Sequence, residues 1–315
     1  MKRTATLKEP ANLSQAIAQS APPDCSIVLV CWNNKTYLGP CLESLYAGKL
    51  QHRFEVVVVD NGSTDGSQEM LRTCYPEVLI IQNDRSNQGI EATTGRHVLL
   101  LNNDTLVNAP SLDAMLDFLD ACPEVGAVGG KLLNADGSEQ SCYNDFSTLR
   151  KEFLVATRLG ELLWEGYPGI IHDNQIRSVG WIGSACVMIR RAALAQVGLL
   201  DESYFIYGDE EDLQYRLRKA GWQIVYLPYA TTIHYGGRSM NRWSRRKMVY
   251  RGKMLFYRKH YGAMRTAALR SMLGGLSAAK LVIWGGASIV PKMRDRARKE
   301  IASNLDVIRL CYRLE

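Results

Sequence analysis

Cysteine is scarce and unpatterned. The 315 residues hold 8, at positions 25, 31, 41, 74, 122, 142, 186 and 311, and no two have CxxC spacing. This scatter excludes a disulfide scaffold and argues against a structural zinc site. Dispersed cysteines behave as small buried hydrophobes and favour a reducing compartment. A long apolar run is also missing. The stretches after residue 260 are cut by Arg265, Arg270 and Lys280, short of the ~18 clean residues a membrane span needs. The opening segment, MKRTATLKEPANLSQAIAQSAPPD, has no apolar signal-peptide core, so no secretory signal is expected. There is no internal repeat. With 46% apolar and 22% charged residues, the composition is globular, and the length suits one large domain or two.

Acidic residues are absent from one stretch. Between Arg238 and Arg294 there are 14 Lys/Arg and no Asp/Glu, so that a chain of net charge +6 has a remainder of −8. An acidic body joined to a basic section points to an anionic surface as partner. The basic section interleaves its cations with Trp243, Tyr250, Phe256, Tyr257, Tyr261 and Trp284. A solvated helical face and a nucleic-acid surface compete with a peripheral membrane surface. The membrane reading is preferred, with Trp243, Phe256 and Trp284 inserting shallowly and no nucleic acid as partner.

Apolar runs are present elsewhere, and they alternate with helical patterns. Ser26–Cys31, Phe54–Asp60, Val78–Ile81, His97–Leu101 and Val125–Gly129 read as buried strands, and Tyr37–Tyr46, Ser67–Cys74 and Ser111–Asp120 as helices. That alternation predicts βαβ units and a mainly parallel α/β sheet flanked by helices. Trp181–Ile189 reads as a Gly-containing loop entering a strand. Leu213–Ala220 reads as a helix closed by Gly221, and Trp222–Leu227 as a further strand. Ligands of such sheets bind at the carboxyl ends of the strands. Here those ends carry Asn33, Asp60 and Asn102-Asn103-Asp104.

Each polar cluster has two readings. Asp60-Asn61-Gly-Ser-Thr-Asp65-Gly is either ordinary turn and cap chemistry or a nucleotide site in which Asp60 accepts from a base or ribose. Asn102-Asn103-Asp104 is either an Asx turn or one carboxylate of a Mg2+ or Mn2+ site completed by diphosphate oxygens. The acids Asp209, Glu210, Glu211 and Asp212 suit a helix N-terminus. Four adjacent carboxylates also repel, however, and a carboxylate held near like charges has the raised pKa of a general base. His234 is a structural histidine or, beside a metal, a ligand.

In their order along the chain, the segments SIVLVCWNN (26–34), EVVVVDNGSTDGS (55–67), VLLLNNDT (98–105), WIGSACVMIRRAAL (181–194), GLLDESYFIYGDEEDLQYRLRKAGW (198–222) and HYGG (234–237) resemble the family 2 glycosyltransferases of GT-A fold, in particular the bacterial rhamnosyltransferase and galactofuranosyltransferase-like branch. The resemblance runs from about Ser26 to His234. It implies a nucleotide-sugar donor held by Asn33, Asp60, Asn61, Asn102 and Asn103. It also implies Mg2+ or Mn2+ held by Asp104 and His234, with Asn102 standing where the family has the first Asp of its DxD motif. Registered on Asp212-Leu213, the catalytic base falls on Glu210, with Asp209 and Glu211 as alternatives. Trp181, Gly183 and Asp212 are implied acceptor contacts. One departure is visible: the segment between Asn83 and His97 is several residues shorter than the family's, where a helix borders the nucleotide pocket.

The implied organisation is a tail over 1–23, a GT-A catalytic domain over 24–237 and a basic, mostly helical section over 238–315. The implied activity is inverting transfer from a dTDP- or UDP-sugar, rhamnose being one candidate, to a glycan or lipid-linked acceptor in cell-surface polysaccharide synthesis. The cytoplasmic face of the membrane is the expected location. A nucleotidyltransferase and a catalytically silent sugar-nucleotide-binding protein are the rivals. The first would not need the acid cluster at 209–212.

Overall fold

A computed structural model describes residues 22–83, 87–164, 174–236 and 242–312, with the side chains of 242–244 excluded. The tail expected over 1–23 lies outside the described residues apart from Pro22 and Pro23, as do Gly237, Arg238 and the side chain of Trp243.

The first half is built from parallel strands. β1 (Cys25–Cys31) is followed by α1 (Lys35–Ala47), β2 (Phe54–Asp60) by α2 (Ser67–Cys74), and β3 (Leu79–Gln82) by the short α3 (Gln88–Glu91) and β4 (His97–Asn102). Their order in the sheet is β3-β2-β1-β4, all parallel. Ile27, Leu29, Val56, Val58 and Leu99 are buried, as in a sheet covered on both faces, where strands read as continuous β-branched runs.

The second half extends this sheet and adds an antiparallel strand. β5 (Thr105–Leu106), α4 (Ala109–Ala121), β6 (Val125–Leu133), β7 (Glu139–Gln140), β8 (Tyr143–Asn144), α5 (Leu149–Thr157) and α6 (Leu159–Leu163) follow in the chain. After them come β9 (Arg177–Ser178), β10 (Trp181–Ile182), β11 (Cys186–Arg190), α7 (Arg191–Val197), α8 (Asp209–Lys219) and β12 (Gln223–His234). The sheet continues β4-β11-β6-β12-β5. β11 runs antiparallel to both its neighbours, β12 parallel to β6.

Several boundaries differ from the sequence reading, and three of them bear on the site. α4 begins at Ala109 rather than Ser111, because Asn108 accepts from the Ser111 N–H at 2.9 Å and Pro110 sits in the first turn, where no backbone donor is needed. α8 begins at Asp209, so the four acids form its first turn instead of preceding it. β12 continues past Leu227 to His234, over a register shift between Leu227 and Thr231.

After β12 the chain is helical: α9 (Arg242–His260), α10 (Gly262–Ala287) and α11 (Arg294–Tyr312). Phe256, Tyr257, Leu269, Leu273 and Val307 form a core of their own there, joined by Ala156 of α5. This corrects the expected role of Phe256, which is 0% exposed. It is a core residue of the helical section, not a membrane-inserting one.

Candidate active site

β1 and its neighbours bring the first group of residues to one level. Cys31 pairs with Asp60 on one side of β1, and Val30 with Asn102 on the other. At ~4.8 Å per strand spacing, Asp60 and Asn102 therefore stand about 10 Å apart across β1. Asp60 is 0% exposed. Its Oδ2 accepts from the N–H groups of Gly62 (3.1 Å) and Ser63 (2.9 Å) and from Gln68 Nε2 (2.6 Å). Burial alone would raise its pKa, but these donors hold the carboxyl below its ordinary value. Its other oxygen, Oδ1, is buried with no hydrogen-bond partner among the described residues. A buried carboxylate oxygen without a donor is costly, so this atom is suited to a donor from a ligand.

Of the remaining residues expected at the nucleotide, Asn33 and Asn61 serve the loop around Asp60. Asn33, at φ 48°, accepts at Oδ1 from Thr64 N (2.7 Å), while its own N–H donates to Ser63 Oγ. Asn61 Oδ1 accepts from Asn83 Nδ2 at 2.5 Å. Asn103 is spent as a brace, with Oδ1 accepting from Asn34 and Nδ2 donating to the Val30 carbonyl at 2.8 Å. Asp65 ties two helix starts together, accepting from Lys35 N (2.8 Å) and from Ser67 N (3.0 Å).

The segment before β4 is docked rather than loose where it is described. Asn87 Nδ2 donates to the Leu200 carbonyl at 2.9 Å, and its Oδ1 accepts from Leu200 N at 3.1 Å. Gly89 lies so close to β1 and β2 that a Cβ would fall 2.6 Å from Val28 Cγ1 and 2.7 Å from Val59 Cγ2.

Asp104 and His234 meet. β12 pairs with β5, placing His234 opposite Thr105, and His234 Nε2 lies 3.3 Å from Asp104 Oδ1 and 3.3 Å from Asn102 Nδ2. The orientation of the imidazole follows from Gln140. Its Nε2 donates to the His234 carbonyl at 2.6 Å, so its Oε1 faces His234 Nδ1 at 2.9 Å and accepts from it. Nδ1 is then the protonated nitrogen, and Nε2 turns its lone pair toward Asp104. A metal-binding histidine is held by an outer hydrogen bond in this way. Among the described residues no cluster of three or more His, Cys, Asp or Glu could hold a metal ion. The Asp104–His234 pair fits an ion that draws its other ligands from phosphate and water, as Mg2+ and Mn2+ commonly do. Gln140 was not found by sequence reasoning, because its contact with His234 spans 94 residues.

The acids of α8 divide into two kinds. Glu211 is 4% exposed and accepts at Oε1 from Ser147 N (2.9 Å). Asp212, expected among the acceptor contacts, is 0% exposed. Its Oδ1 lies 2.7 Å from both His260 Nε2 and Lys259 Nζ, and its Oδ2 takes Arg216 Nε at 2.8 Å. Both oxygens are engaged inside the protein, so Asp212 anchors the helix to α9. Asp209 and Glu210 remain half-buried. Burial, then repulsion from Asp209, pushes the Glu210 carboxyl up to about 8.

Glu210 Oε2 accepts from Gly208 N at 3.1 Å, and Gln214 holds the next turn of α8. The Gln214 amide accepts from Ile182 N (2.8 Å) and donates to the Ile182 carbonyl (2.7 Å), fixing β10 to α8. Glu210 lies one turn earlier on the same helix face, its carbonyl accepting from Gln214 Nε2 at 3.2 Å. Gly183 N donates to the Cys142 carbonyl at 2.8 Å, and the Trp181 Nε1 is buried without a partner among the described residues.

The model of "Glycosyltransferase like family 2" matches residues 22–251. This chain belongs to that family. The family 2 chain is 31% identical over 232 residues to the N-acetylglucosaminyl-diphospho-decaprenol L-rhamnosyltransferase of Mycobacterium tuberculosis, covering 65% of this chain and 75% of that protein. It is 28% identical to the O-antigen biosynthesis protein RfbC of Myxococcus xanthus, over 68% of this chain and 17% of that one. Its fold matches a mannosyltransferase from Pyrobaculum calidifontis, solved in complex with GDP-Man and Mn2+, at a TM-score of 0.54 and 16% identity, over 94% of this chain and 91% of that chain. The protein is a glycosyltransferase with a GT-A-type sheet, and the strand ends described above are where that sheet opens.

Proposed function

We propose that this glycosyltransferase is an inverting, divalent-metal-dependent enzyme that moves a sugar, rhamnose being the first candidate, from a dTDP- or UDP-sugar to a lipid-linked acceptor in cell-surface polysaccharide synthesis. The observation that carries the proposal is the placement, at one level across β1, of a buried carboxylate oxygen without a donor on Asp60 and of the Asp104–His234 pair. The relative in Mycobacterium tuberculosis supports the sugar and the acceptor class.

Asp60 Oδ1 accepts from the nucleoside. Asp104 and His234 would hold a Mg2+ or Mn2+ ion, which would neutralise charge on the departing diphosphate. Glu210 takes the proton of the acceptor hydroxyl as that oxygen attacks the anomeric carbon from the face opposite the diphosphate. A single displacement of this kind inverts the carbon. The raised Glu210 carboxyl suits the task, since a base works best with a pKa near the operating pH. Asp209, beside it, sustains that rise by repulsion.

Among the described residues, no helix is long and apolar enough to cross a membrane. A peripheral position on the inner membrane face, through the basic helical section, completes the proposal. A thermal-shift panel of UDP-, dTDP- and GDP-sugars with Mn2+ or Mg2+ tests it. A dTDP- or UDP-sugar is expected to stabilise the protein only with the metal. A nucleotide sugar that binds equally well without metal, or to Asp104→Ala, would sink the metal assignment.

A further inference from the structure

α5 opens beside the acid helix and carries two adjacent cations, Arg150 and Lys151, into a cleft of about 340 Å3 whose walls include Asp145, Phe146, Leu154 and Trp164. That volume is in the range of small-molecule sites, roughly 300–1,000 Å3. Lys151 is half-buried. Its Nζ donates to Asn144 Oδ1 and to the Asp145 carbonyl at 2.6 Å, both uncharged acceptors. Arg150 is exposed and makes no ion pair or hydrogen bond among the described residues. Neither cation makes an ion pair among the described residues, although the Asp145 carboxylate lines the same cleft, and two adjacent cations, one of them partly desolvated, suit a strong anion.

The far side of the cleft is apolar. Trp164 is 47% exposed, and α6, which leads into it, exposes Leu159, Leu162 (81%) and Leu163 (61%). α10 runs alongside, with Lys280 Nζ donating to the Ala156 carbonyl at 2.6 Å and with Val282 and Ile283 exposed just beyond. On its near side the cleft adjoins the reaction site. Asn144 pairs with Trp181 in the β8–β10 ladder, and Ser147 N donates to Glu211. The acid helix, the two cations and an apolar ridge thus lie in that order.

We infer that this cleft binds the diphosphate of the lipid-linked acceptor, with Arg150 and Lys151 holding phosphate oxygens, Asp145 taking a sugar hydroxyl, and Leu154, Trp164 and the α6 ridge receiving the first carbons of the lipid. The inference rests on the lipid-linked acceptor proposed above and supplies its site. It explains why hydrophobic side chains stand exposed beside cations that make no ion pair among the described residues.

The test is calorimetric titration of the full-length protein with farnesyl diphosphate in the absence of divalent metal. The wild type is expected to bind. Arg150→Glu, at an exposed position that leaves the Lys151 contacts in place, should bind at least about tenfold more weakly, as loss of a charge-assisted hydrogen bond predicts. Trp164→Ala should weaken farnesyl diphosphate more than inorganic pyrophosphate, and Asp104→Ala should leave both unchanged. No binding to the wild type, or unchanged binding to Arg150→Glu, would overturn the assignment. So would displacement of the probe by UDP or dTDP once Mn2+ is added, which would place the diphosphate at the donor site. Phosphatidylglycerol vesicles should not displace the probe, and full displacement by them would assign the cations to a headgroup instead. Nucleotide-sugar binding with Mn2+ is read on the same samples. Its absence with farnesyl diphosphate retained removes the donor reading alone, and its presence with Arg150→Glu unaffected removes the cleft assignment alone.

Discussion

Gly252 of α9 lies against the backbone of Tyr207: a Cβ at position 252 would fall 2.3 Å from the Tyr207 carbonyl oxygen and 3.8 Å from Gly208 Cα. Tyr207 and Gly208 have φ of 63° and 102°, left-handed conformations held just before the acid helix begins. Such strain persists where surrounding structure fixes it. Here α9 does so, with Arg245 over the Tyr207 ring at 5.4 Å and with Lys259 and His260 on Asp212. The basic section therefore fixes the start of the helix that carries Glu210, beyond any contact it makes with a surface.

Gly252→Ala is expected to push α9 off the Tyr207 carbonyl and displace the start of α8. Transfer should fall by about tenfold or more, as small misplacements of catalytic groups do, while donor binding, built on β1, β2 and β4, stays within twofold of wild type. Steady-state transfer assays and nucleotide-sugar titrations separate the two. Wild-type turnover in Gly252→Ala would show that α8 is aimed by other contacts.

Glu210→Gln should keep donor binding and lose transfer by about 10²–10⁴-fold, the usual worth of general-base assistance. Asp209→Asn should lose less and move the activity–pH profile toward acid, because it removes the repulsion that lifts the Glu210 carboxyl. Normal transfer by Glu210→Gln with a dead Asp209→Asn would exchange their roles.

The same carboxyl makes a prediction about stability. Its folded pKa lies above its unfolded value, so the folded state holds the proton more tightly and stability is lost as pH rises between about 4.5 and 8. Glu210→Gln, permanently neutral, should raise Tm near pH 8 and leave it unchanged near pH 4. An equal Tm shift at both pH values would place the effect in packing rather than charge.

Gln140→Leu removes the acceptor that fixes the His234 tautomer. Loss of such outer hydrogen bonds typically costs about 10–100-fold in metal affinity. The Mn2+ concentration needed for half-maximal nucleotide-sugar binding should rise accordingly. No change in that titration would mean that His234 is oriented without Gln140.

What could be read from the sequence and what could not follow from distance along the chain. Asp60 stands out because it ends an apolar β-branched run, and Asp104 because it closes a polar triplet after the apolar run 98–101, local patterns that carry the sheet with them. The acid cluster is visible because four like charges adjoin. Their division into two anchors and two half-buried carboxylates is not, since the partners of Glu211 and Asp212 come from Ser147 and His260, 64 and 48 residues away. The excess of Lys/Arg after Arg238 was legible, but its use was only half so. Lys253 pairs with Glu152, and Lys259 with Asp201 and Asp212, so part of the charge offsets the acidic body from within.

That division decides how membrane binding should be tested. Removing everything from Arg238 onward would strip His260 and Lys259 from Asp212 and expose the acid helix, so lost liposome binding by such a truncation would report unfolding as readily as a lost surface. Substitutions at exposed positions avoid this. Lys247, Arg251, Arg258, Lys292 and Arg294 are unpaired cations among the described residues, and Val282, Ile283 and Ile289 are 78%, 66% and 77% exposed. Each cation near an anionic surface is worth about 1 kcal/mol, and the attraction is screened over about 8–10 Å at physiological salt. Sedimentation with anionic liposomes is expected at low salt and should fall steeply as salt rises. Lys292→Glu with Arg294→Glu should reduce it further, and Ile283→Asp should reduce binding that persists at high salt. Phe256→Asp should instead lower Tm, because it places a carboxylate in the helical core. Equal sedimentation with neutral and anionic liposomes would leave these cations as a solvated face.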